Sequence, residues 1–294
     1  MKNPFSIYDF LGYVFPGAFA LIIVYYFVII DPIEFQNPMS VHEMLDLVRE
    51  NFVGSESIVS CTIFLIISYV LGHIISYLSS ITVERFVIWW YGYPSEFMLN
   101  HEDNHWHFFH DAIIMCHEKK YHYKRAIIRT YILRSLFSLL LLPILIPTVL
   151  FRIFGCNVFF VKKLDPYLND IVLQKRNALA VKLNLPDASH YDKVDYYRVI
   201  YNYVYEHSSN HRQKMDNYVA LYDFLRSLTL IFIGVFIYVL WSGIIVSTSI
   251  GYFYWLDLLI AMSLSCVSFM AFFKFYRKFT LEAFMCLVSD QDLR

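Results

Sequence analysis

Charged residues and glycine are both scarce in this sequence, and their scarcity excludes several classes of protein. Charged residues make up 17% of the 294 residues, whereas soluble domains carry about 25%. Apolar residues make up 58%, and the mean hydropathy is +0.47. The net charge of −1 provides no overall basic field that would attract nucleic acid. The composition therefore excludes an ordinary soluble domain and indicates an integral membrane protein.

Sequence motifs for catalysis are missing as well. With only nine glycines, the chain has no phosphate-binding loop, and it has neither a nucleophile elbow nor a supported pair of catalytic carboxylates. We therefore expect no catalytic residue and no cofactor. The cysteines are far apart in sequence and form no C-x-x-C motif, so we predict free thiols. They are Cys61, Cys116, Cys156, Cys266 and Cys286.

Four apolar runs are long enough to cross a bilayer, which takes about 20 residues. They predict an all-α integral membrane protein with four transmembrane helices in two hairpins. The runs are residues 10–30, 58–81, 221–246 and 252–273. In the second run, Ser68, Gly72 and Ser76 follow a small-xxx-small spacing, which lets two helices approach closely.

A fifth apolar run, 135–151 within the segment 131–154, contains Pro143 and Pro147. Lysine and arginine concentrate in cytoplasmic loops. Of the 24 lysines and arginines, one lies in residues 31–57 and none lies in 247–251. By contrast, six lie in 82–130, eleven lie in 152–226 and four lie in the tail from residue 274. Both large polar regions and both termini are thus expected to be cytoplasmic. This placement requires that residues 135–151 do not cross the membrane. They would then form a proline-broken pair of short helices that enters the bilayer and returns, or that lies in its interface. The alternative is a fifth span.

The predicted organisation has four parts. Residues 1–81 form the first hairpin with a short outside loop. Residues 82–220 form a helical cytoplasmic region that includes the membrane-associated segment 131–154. Residues 221–273 form the second hairpin, and 274–294 form a cytoplasmic tail.

Two sets of polar residues lie inside the apolar runs. His73 is near the middle of the second run, and an ionisable group at that depth is a functional candidate. The alternative is a neutral histidine bonded to a neighbouring helix. The fourth run carries a polar stripe that either lines a pore or forms a packing seam in an oligomer, and the seam is the preferred interpretation. The stripe consists of Asp257, Ala261, Ser265 and Ser268.

Six of the eleven histidines fall within residues 101–125. On a helix, Asp103, His107, His110 and His117 would lie near one face, and imidazole and carboxylate are ligands for zinc or iron. The spacing matches no strong metal motif. Three interpretations therefore remain, namely a metal site, a pH-sensitive surface and an interfacial helix with aromatic anchors, of which the last is preferred.

A basic and aromatic cluster follows the histidines. Cations that alternate with aromatic rings are typical of single-stranded nucleic acid binding, and the same pattern also suits anionic lipid headgroups beside a membrane. These residues are the best ligand-binding candidates in the sequence. They are Lys119, Lys120, Tyr121, Tyr123, Lys124, Arg125 and Arg129.

Two segments of the chain carry short matches to known proteins. They are Tyr8-Asp9-Phe10-Leu11-Gly12-Tyr13 with Pro16-Gly17 around the start of the first run, and Tyr203-Val204, His207-Ser208 and Phe224-Leu225-Arg226 within 201–226. These segments resemble the HalA-type membrane effectors of the Hailong anti-phage defence system, and the resemblance implies a bacterial inner membrane.

The resemblance implies an oligomeric, channel-forming effector that is held closed by a single-stranded DNA oligomer, which a partner nucleotidyltransferase makes. Loss of that ligand would open the pore and stop growth of the infected cell, an abortive infection. No ligand-binding residue follows from the resemblance.

Two hypotheses follow from the sequence. The first is a gated membrane effector that forms a homo-oligomer, for example a tetramer, in the lipid bilayer. The second is a membrane-anchored, metal-dependent enzyme or scaffold that uses the histidines of residues 101–122.

Overall fold

A computed structural model describes residues 9–29, 58–99, 123–155, 160–186, 195–245 and 252–293. Every regular element in these ranges is a helix. Three helices are long and apolar enough to cross a membrane, and a bent pair makes a fourth candidate if it counts as one span. The prediction of an all-α membrane protein is therefore confirmed. The three candidates contain most of the predicted runs 58–81, 221–246 and 252–273, whereas the described part of the first run forms a shorter apolar helix, Phe10–Tyr25.

The helices are numbered here in chain order. The π-helical turn Phe10–Val14 precedes α1, and the π-helical turn Ser80–Glu84 follows α2. The helices are α1 (Phe15–Ile29), α2 (Ile58–Ser79), α3 (Arg85–Tyr91), α4 (Pro94–Leu99), α5 (Tyr123–Leu140), α6 (Leu142–Ile153), α7 (Pro166–Lys182), α8 (Tyr196–His207), α9 (Ser209–Ile245) and α10 (Tyr252–Ser289).

The chain separates into two compact units. Unit 1 comprises Met1–Glu84, Leu141–Pro147 and Asp223–Phe272, and unit 2 comprises Arg85–Leu140, Thr148–Tyr222 and Phe273–Arg294. Unit 1 thus contains α1, α2 and the apolar parts of α9 and α10.

Helices α1 and α2 pack closely in unit 1 because glycine lies at their contact. A β-carbon added to Gly72 would lie 1.9 Å from the Tyr13 carbonyl oxygen, and one added to Gly17 would lie 1.8 Å from the Ser68 carbonyl oxygen. Ser68 and Ser76, on the same face of α2, are buried. The predicted close approach through this small-residue face is confirmed.

Helices α9 and α10 have 37 and 38 residues, far more than the roughly 20 that a bilayer requires. Their apolar parts, 221–245 and 252–273, are each about one membrane thickness long. Residues 209–220 of α9 and 274–289 of α10 therefore extend beyond those apolar parts. The segment predicted as the tail is helical as far as Ser289 and continues α10 without a break.

Helices α5 and α6 form the bent pair. The break lies at Leu141, and the segments Tyr131–Leu140 and Leu142–Ile153 are bent by 101°. Pro143 is the second residue of α6, where a missing N–H removes no helical hydrogen bond. Pro147 lies inside α6, so the expectation that both prolines break the helix is wrong for Pro147. The bend agrees with the predicted pair of short helices and fits both a re-entrant segment and a broken span.

Aromatic rings and a partly buried lysine contribute to the packing of unit 2. The Phe160 ring lies 5.3 Å from that of Tyr91 and 5.9 Å from that of Phe273. On α7, the Lys175 ammonium donates to the Asp290 carbonyl oxygen at 2.6 Å and also to the Leu293 carbonyl oxygen. This link fixes the chain after α10 against α7.

Candidate functional site

A buried charged network lies in unit 1 around Arg226 of α9, whose side chain is only 7% exposed. Its guanidinium pairs with the Asp223 carboxylate at 2.8 Å, and its Nε donates to the Ser79 hydroxyl at 3.1 Å. It also donates to Glu84, at the end of the π-turn Ser80–Glu84. The network joins α2, the following π-turn and α9 through a single side chain.

The guanidinium of Arg226 contacts two carboxylates in this network. They belong to Asp223 and Glu84, whose side chains are 9% and 24% exposed. Removing a charge from water costs several kcal/mol, so such groups persist only when they are well paired. Loss of the arginine contact would leave two carboxylates beside the apolar helices.

Sequence analysis did not identify this network as a site. Asp223 and Arg226 stand one helical turn apart at the start of the third apolar run, and an ion pair at that place was the available signal. Glu84 lies 142 positions from Arg226, and only the packing of α2 against α9 brings them together.

The predicted polar stripe lies mostly in a seam within one chain. Ala261, Ser265 and Ser268 are buried, and the Thr229 hydroxyl on α9 donates to the Ser268 hydroxyl at 3.2 Å. Asp257, the fourth member, is partly exposed. Ser268 therefore contacts α9, and Ala261 and Ser265 are also buried within one chain, whereas the favoured interpretation had placed the seam between subunits.

His73 lies on the exposed surface of α2. Its ring stacks on Tyr13 with centroids 3.8 Å apart, and the ring of Tyr69 meets it edge-on at 4.5 Å. The histidine is therefore held by two aromatic rings from α2 and the π-turn before α1. Its functional role stays a prediction.

The predicted ligand cluster is only partly within the described residues. Lys119, Lys120 and Tyr121 lie outside them. The remaining members lie in the first two turns of α5, the helix that leads to the bend at Leu141. They are Tyr123, Lys124, Arg125 and Arg129.

The weak metal candidates of the histidine stretch, Asp103, His107, His110 and His117, also lie outside the described residues. A metal site in that stretch therefore stays a prediction.

A second polar cluster lies in unit 2, beyond the apolar parts of α9 and α10. The Lys214 ammonium contacts the two Glu282 carboxylate oxygens at 2.8 and 2.7 Å, and His211 Nδ1 lies 3.0 Å from one of them. Burial acts to raise the pKa of Glu282, but the hydrogen bonds from Lys214 and His211 outweigh it and lower that pKa. Glu282 is thus a carboxylate at neutral pH.

No protein-family model, curated protein or solved structure matches this chain. Function must therefore be argued from the residues.

Proposed function

We propose that this protein is a homo-oligomeric, channel-like effector of a bacterial inner membrane, gated by a ligand on its cytoplasmic side. The observation that carries the proposal is the buried network of Arg226, Asp223 and Glu84. Charged groups within or beside membrane helices are expensive and are characteristic of ion pathways and switches. The resemblance to HalA-type effectors favours a role in anti-phage defence.

The network supplies the gate in this proposal because one side chain joins two helices. Arg226 contacts Asp223 on α9 and Glu84 after α2, so it ties α9 to α2. The open state is the one in which α9 moves relative to α2 and the contact between Arg226 and Glu84 is broken. Carboxylates beside an ion pathway favour cations.

Several copies are needed for a pore. The stripe residues Ala261, Ser265 and Ser268 are buried within one chain and leave little surface for a partner. A face of α2 in unit 1 is different, since Ile66, Val70 and Ile74 are each at least 50% exposed. Such a surface suits contact with lipid or with another copy of the chain, and the pore would lie between copies.

The proposed ligand site is connected along the chain to a membrane-associated segment. The ligand candidate is the Lys119–Arg129 cluster, whose later members lie in the first two turns of α5, the helix that leads to the bend at Leu141. We propose a short single-stranded DNA oligomer as the ligand, as the resemblance implies.

Ion flux from liposomes containing the purified full-length protein tests the proposal. We expect cation flux that falls when single-stranded DNA oligomers are added, and loss of this closure in Arg226→Met. Arg198→Met is the matched control because Arg198 also pairs with an aspartate three residues earlier but is 83% exposed. Absence of flux under every condition, or equal behaviour of the two variants, would contradict the proposal.

DNA binding needs its own measurement. Replacing Lys124, Arg125 and Arg129 by glutamine should weaken binding of a DNA oligomer and reduce its salt dependence. The reason is that binding with fewer phosphate contacts releases fewer counterions from the DNA. Anionic vesicles without DNA serve as the lipid control. If the triple variant loses vesicle binding but keeps DNA binding, the cluster contacts lipid and the ligand site lies elsewhere.

The proposed cytoplasmic placement of α7 can be tested by cysteine labelling. Gln174 on α7 is exposed, whereas the nearby Asn169 is buried, so Gln174→Cys in a cysteine-free chain is the suitable probe. We expect no reaction with a membrane-impermeant maleimide in intact cells and full reaction after lysis. Labelling of intact cells would place this region outside.

A further inference from the structure

Three potential metal ligands meet in unit 2 at a place that the proposed function does not use. One ligand atom each from His211, Glu282 and Cys286 can be chosen so that all three lie within 4.8 Å of one another. Glu282 and Cys286 are four residues apart on α10, which puts them on the same face of that helix. His211 reaches them from the first turn of α9.

We propose that His211, Glu282 and Cys286 bind a divalent transition-metal ion of the zinc class. This inference goes beyond the proposed function and stands without it. Imidazole nitrogen, carboxylate oxygen and thiolate sulfur are the three protein ligand types of zinc. Three protein ligands leave a fourth position for water, and the side chain of His211, which is 48% exposed, provides access from solvent.

The geometry is close to that of a tetrahedral site. With metal–ligand bonds of about 2.0 to 2.3 Å, ligand atoms in a tetrahedral zinc site lie roughly 3.3 to 3.7 Å apart. The 3.0 Å between His211 Nδ1 and Glu282 Oε1 is slightly shorter, and the outer limit of 4.8 Å is longer. Small side-chain rotations therefore suffice to form the site.

Two groups must change their bonding when the metal enters. Lys214 contacts both Glu282 oxygens, so it can retain one oxygen while the metal takes the other. Burial raises the pKa of the Cys286 thiol to about 11, and the Glu282 charge adds to this effect. The thiol is thus protonated without metal, and its proton is released to solvent when the cation binds.

Cobalt substitution provides the direct test. We expect Co²⁺ titrated into the purified full-length protein to produce a thiolate-to-cobalt charge-transfer band that saturates at one equivalent and that Zn²⁺ abolishes. Cys286→Ser should abolish the band, and His211→Asn and Glu282→Gln should weaken Co²⁺ binding at least tenfold. Far-ultraviolet circular dichroism checks that each variant keeps its helical content.

Matched variants separate this site from other thiols and histidines. Cys116→Ser, in the histidine stretch, and Cys266→Ser, in the apolar part of α10, should keep the band. His211→Cys, at an exposed position, adds a second thiolate and should intensify it. Absence of the band in the wild-type protein, or its loss in Cys116→Ser with retention in Cys286→Ser, would overturn the proposal.

Discussion

Arg226 and Asp223 lie one turn apart on α9 and form an ion pair of 2.8 Å with side chains only 7% and 9% exposed. On α8 and its N-cap, Arg198 and Asp195 form a pair of 2.9 Å at the same spacing, with side chains 83% and 57% exposed. The two pairs share residue types and spacing and are nearly equal in length. They differ in burial and in the further contacts of Arg226 with Ser79 and Glu84, so they compare a buried, networked ion pair with an exposed one.

Arg226→Met is expected to lower the free energy of unfolding by about 3–5 kcal/mol, because it removes the guanidinium that pairs with the buried Asp223 and the partly buried Glu84. Arg198→Met should change it by no more than about 0.5 kcal/mol, since exposed pairs contribute little. Unfolding in detergent, followed by circular dichroism, measures both values. Equal losses in the two variants would show that burial does not set the strength of the Arg226 pair.

The small-residue contact between α1 and α2 leads to a second prediction. Gly72→Ala would place a methyl group 1.9 Å from the Tyr13 carbonyl oxygen, so the helices must separate. We expect a loss of at least about 1–3 kcal/mol, as for other overpacked sites. A β-carbon at Gly234 on α9 would meet nothing within 4 Å, so Gly234→Ala should be neutral or stabilising by up to about 1 kcal/mol.

Thermal unfolding in the same detergent compares the two glycine variants. A Gly72→Ala protein as stable as Gly234→Ala would mean that α1 and α2 do not approach as closely as the structure shows.

Much of this fold could be predicted from local sequence properties. Apolar length and the small residues Ser68, Gly72 and Ser76 depend only on neighbouring positions, and they gave correct helices and a correct contact. The continuation of α2 through the π-turn Ser80–Glu84 into α3 was not predicted, because the aromatic residues at 89–93 also fit a membrane boundary. Helix length beyond a span depends on tertiary packing, which propensity does not report.

The polar sites were harder to predict for a physical reason. The Arg226 network and the His211 cluster each depend on a partner far away in sequence, Glu84 at 142 positions and Glu282 at 71 positions. No local spacing encodes such pairs. The residues from Asp257 to Ser268 had the spacing of one helix face. That spacing could not distinguish residues that line a pore from residues that are buried within one chain.

Tyr197 on α8 provides a pH-dependent prediction. Its hydroxyl oxygen is buried and has no hydrogen-bond partner of normal geometry among the described residues, and the nearby Thr280 hydroxyl donates to the Tyr276 carbonyl at 3.3 Å. Burial raises the pKa of Tyr197, and Thr280 opposes that shift only in part. Folding therefore favours the protonated phenol, a contribution that is present below the unfolded pKa of about 10 and is lost as pH rises above it.

Tyr197→Phe should leave stability unchanged or slightly higher at neutral pH, because it removes a buried polar atom without a bond. Above pH of about 10, the variant should lose stability less steeply than the wild-type protein. Unfolding curves between neutral and alkaline pH measure the difference in slope, and Tyr167→Phe, at a position 73% exposed, is the matched control. Parallel slopes for Tyr197→Phe and wild type would show that this phenol does not drive the alkaline loss.

The bend between α5 and α6 leads to the final prediction, which concerns a distance. In a straight helix, positions 132 and 153 would be about 32 Å apart, whereas the observed bend reduces this to roughly 20 Å. Both positions are exposed, so spin labels at Ile132→Cys and Ile153→Cys can report the distance by dipolar spectroscopy.

Pro143→Ala should add a population with the longer distance, because α5 can then continue through the break. Pro147→Ala should not, since Pro147 lies inside α6 and the break does not depend on it. A single short distance in Pro143→Ala would show that packing of the buried Leu141 and Ile144 alone maintains the bend. A wild-type distance near 32 Å would instead mean that the pair forms one straight helix, and the basic turns at the start of α5 would then be followed by a continuous span.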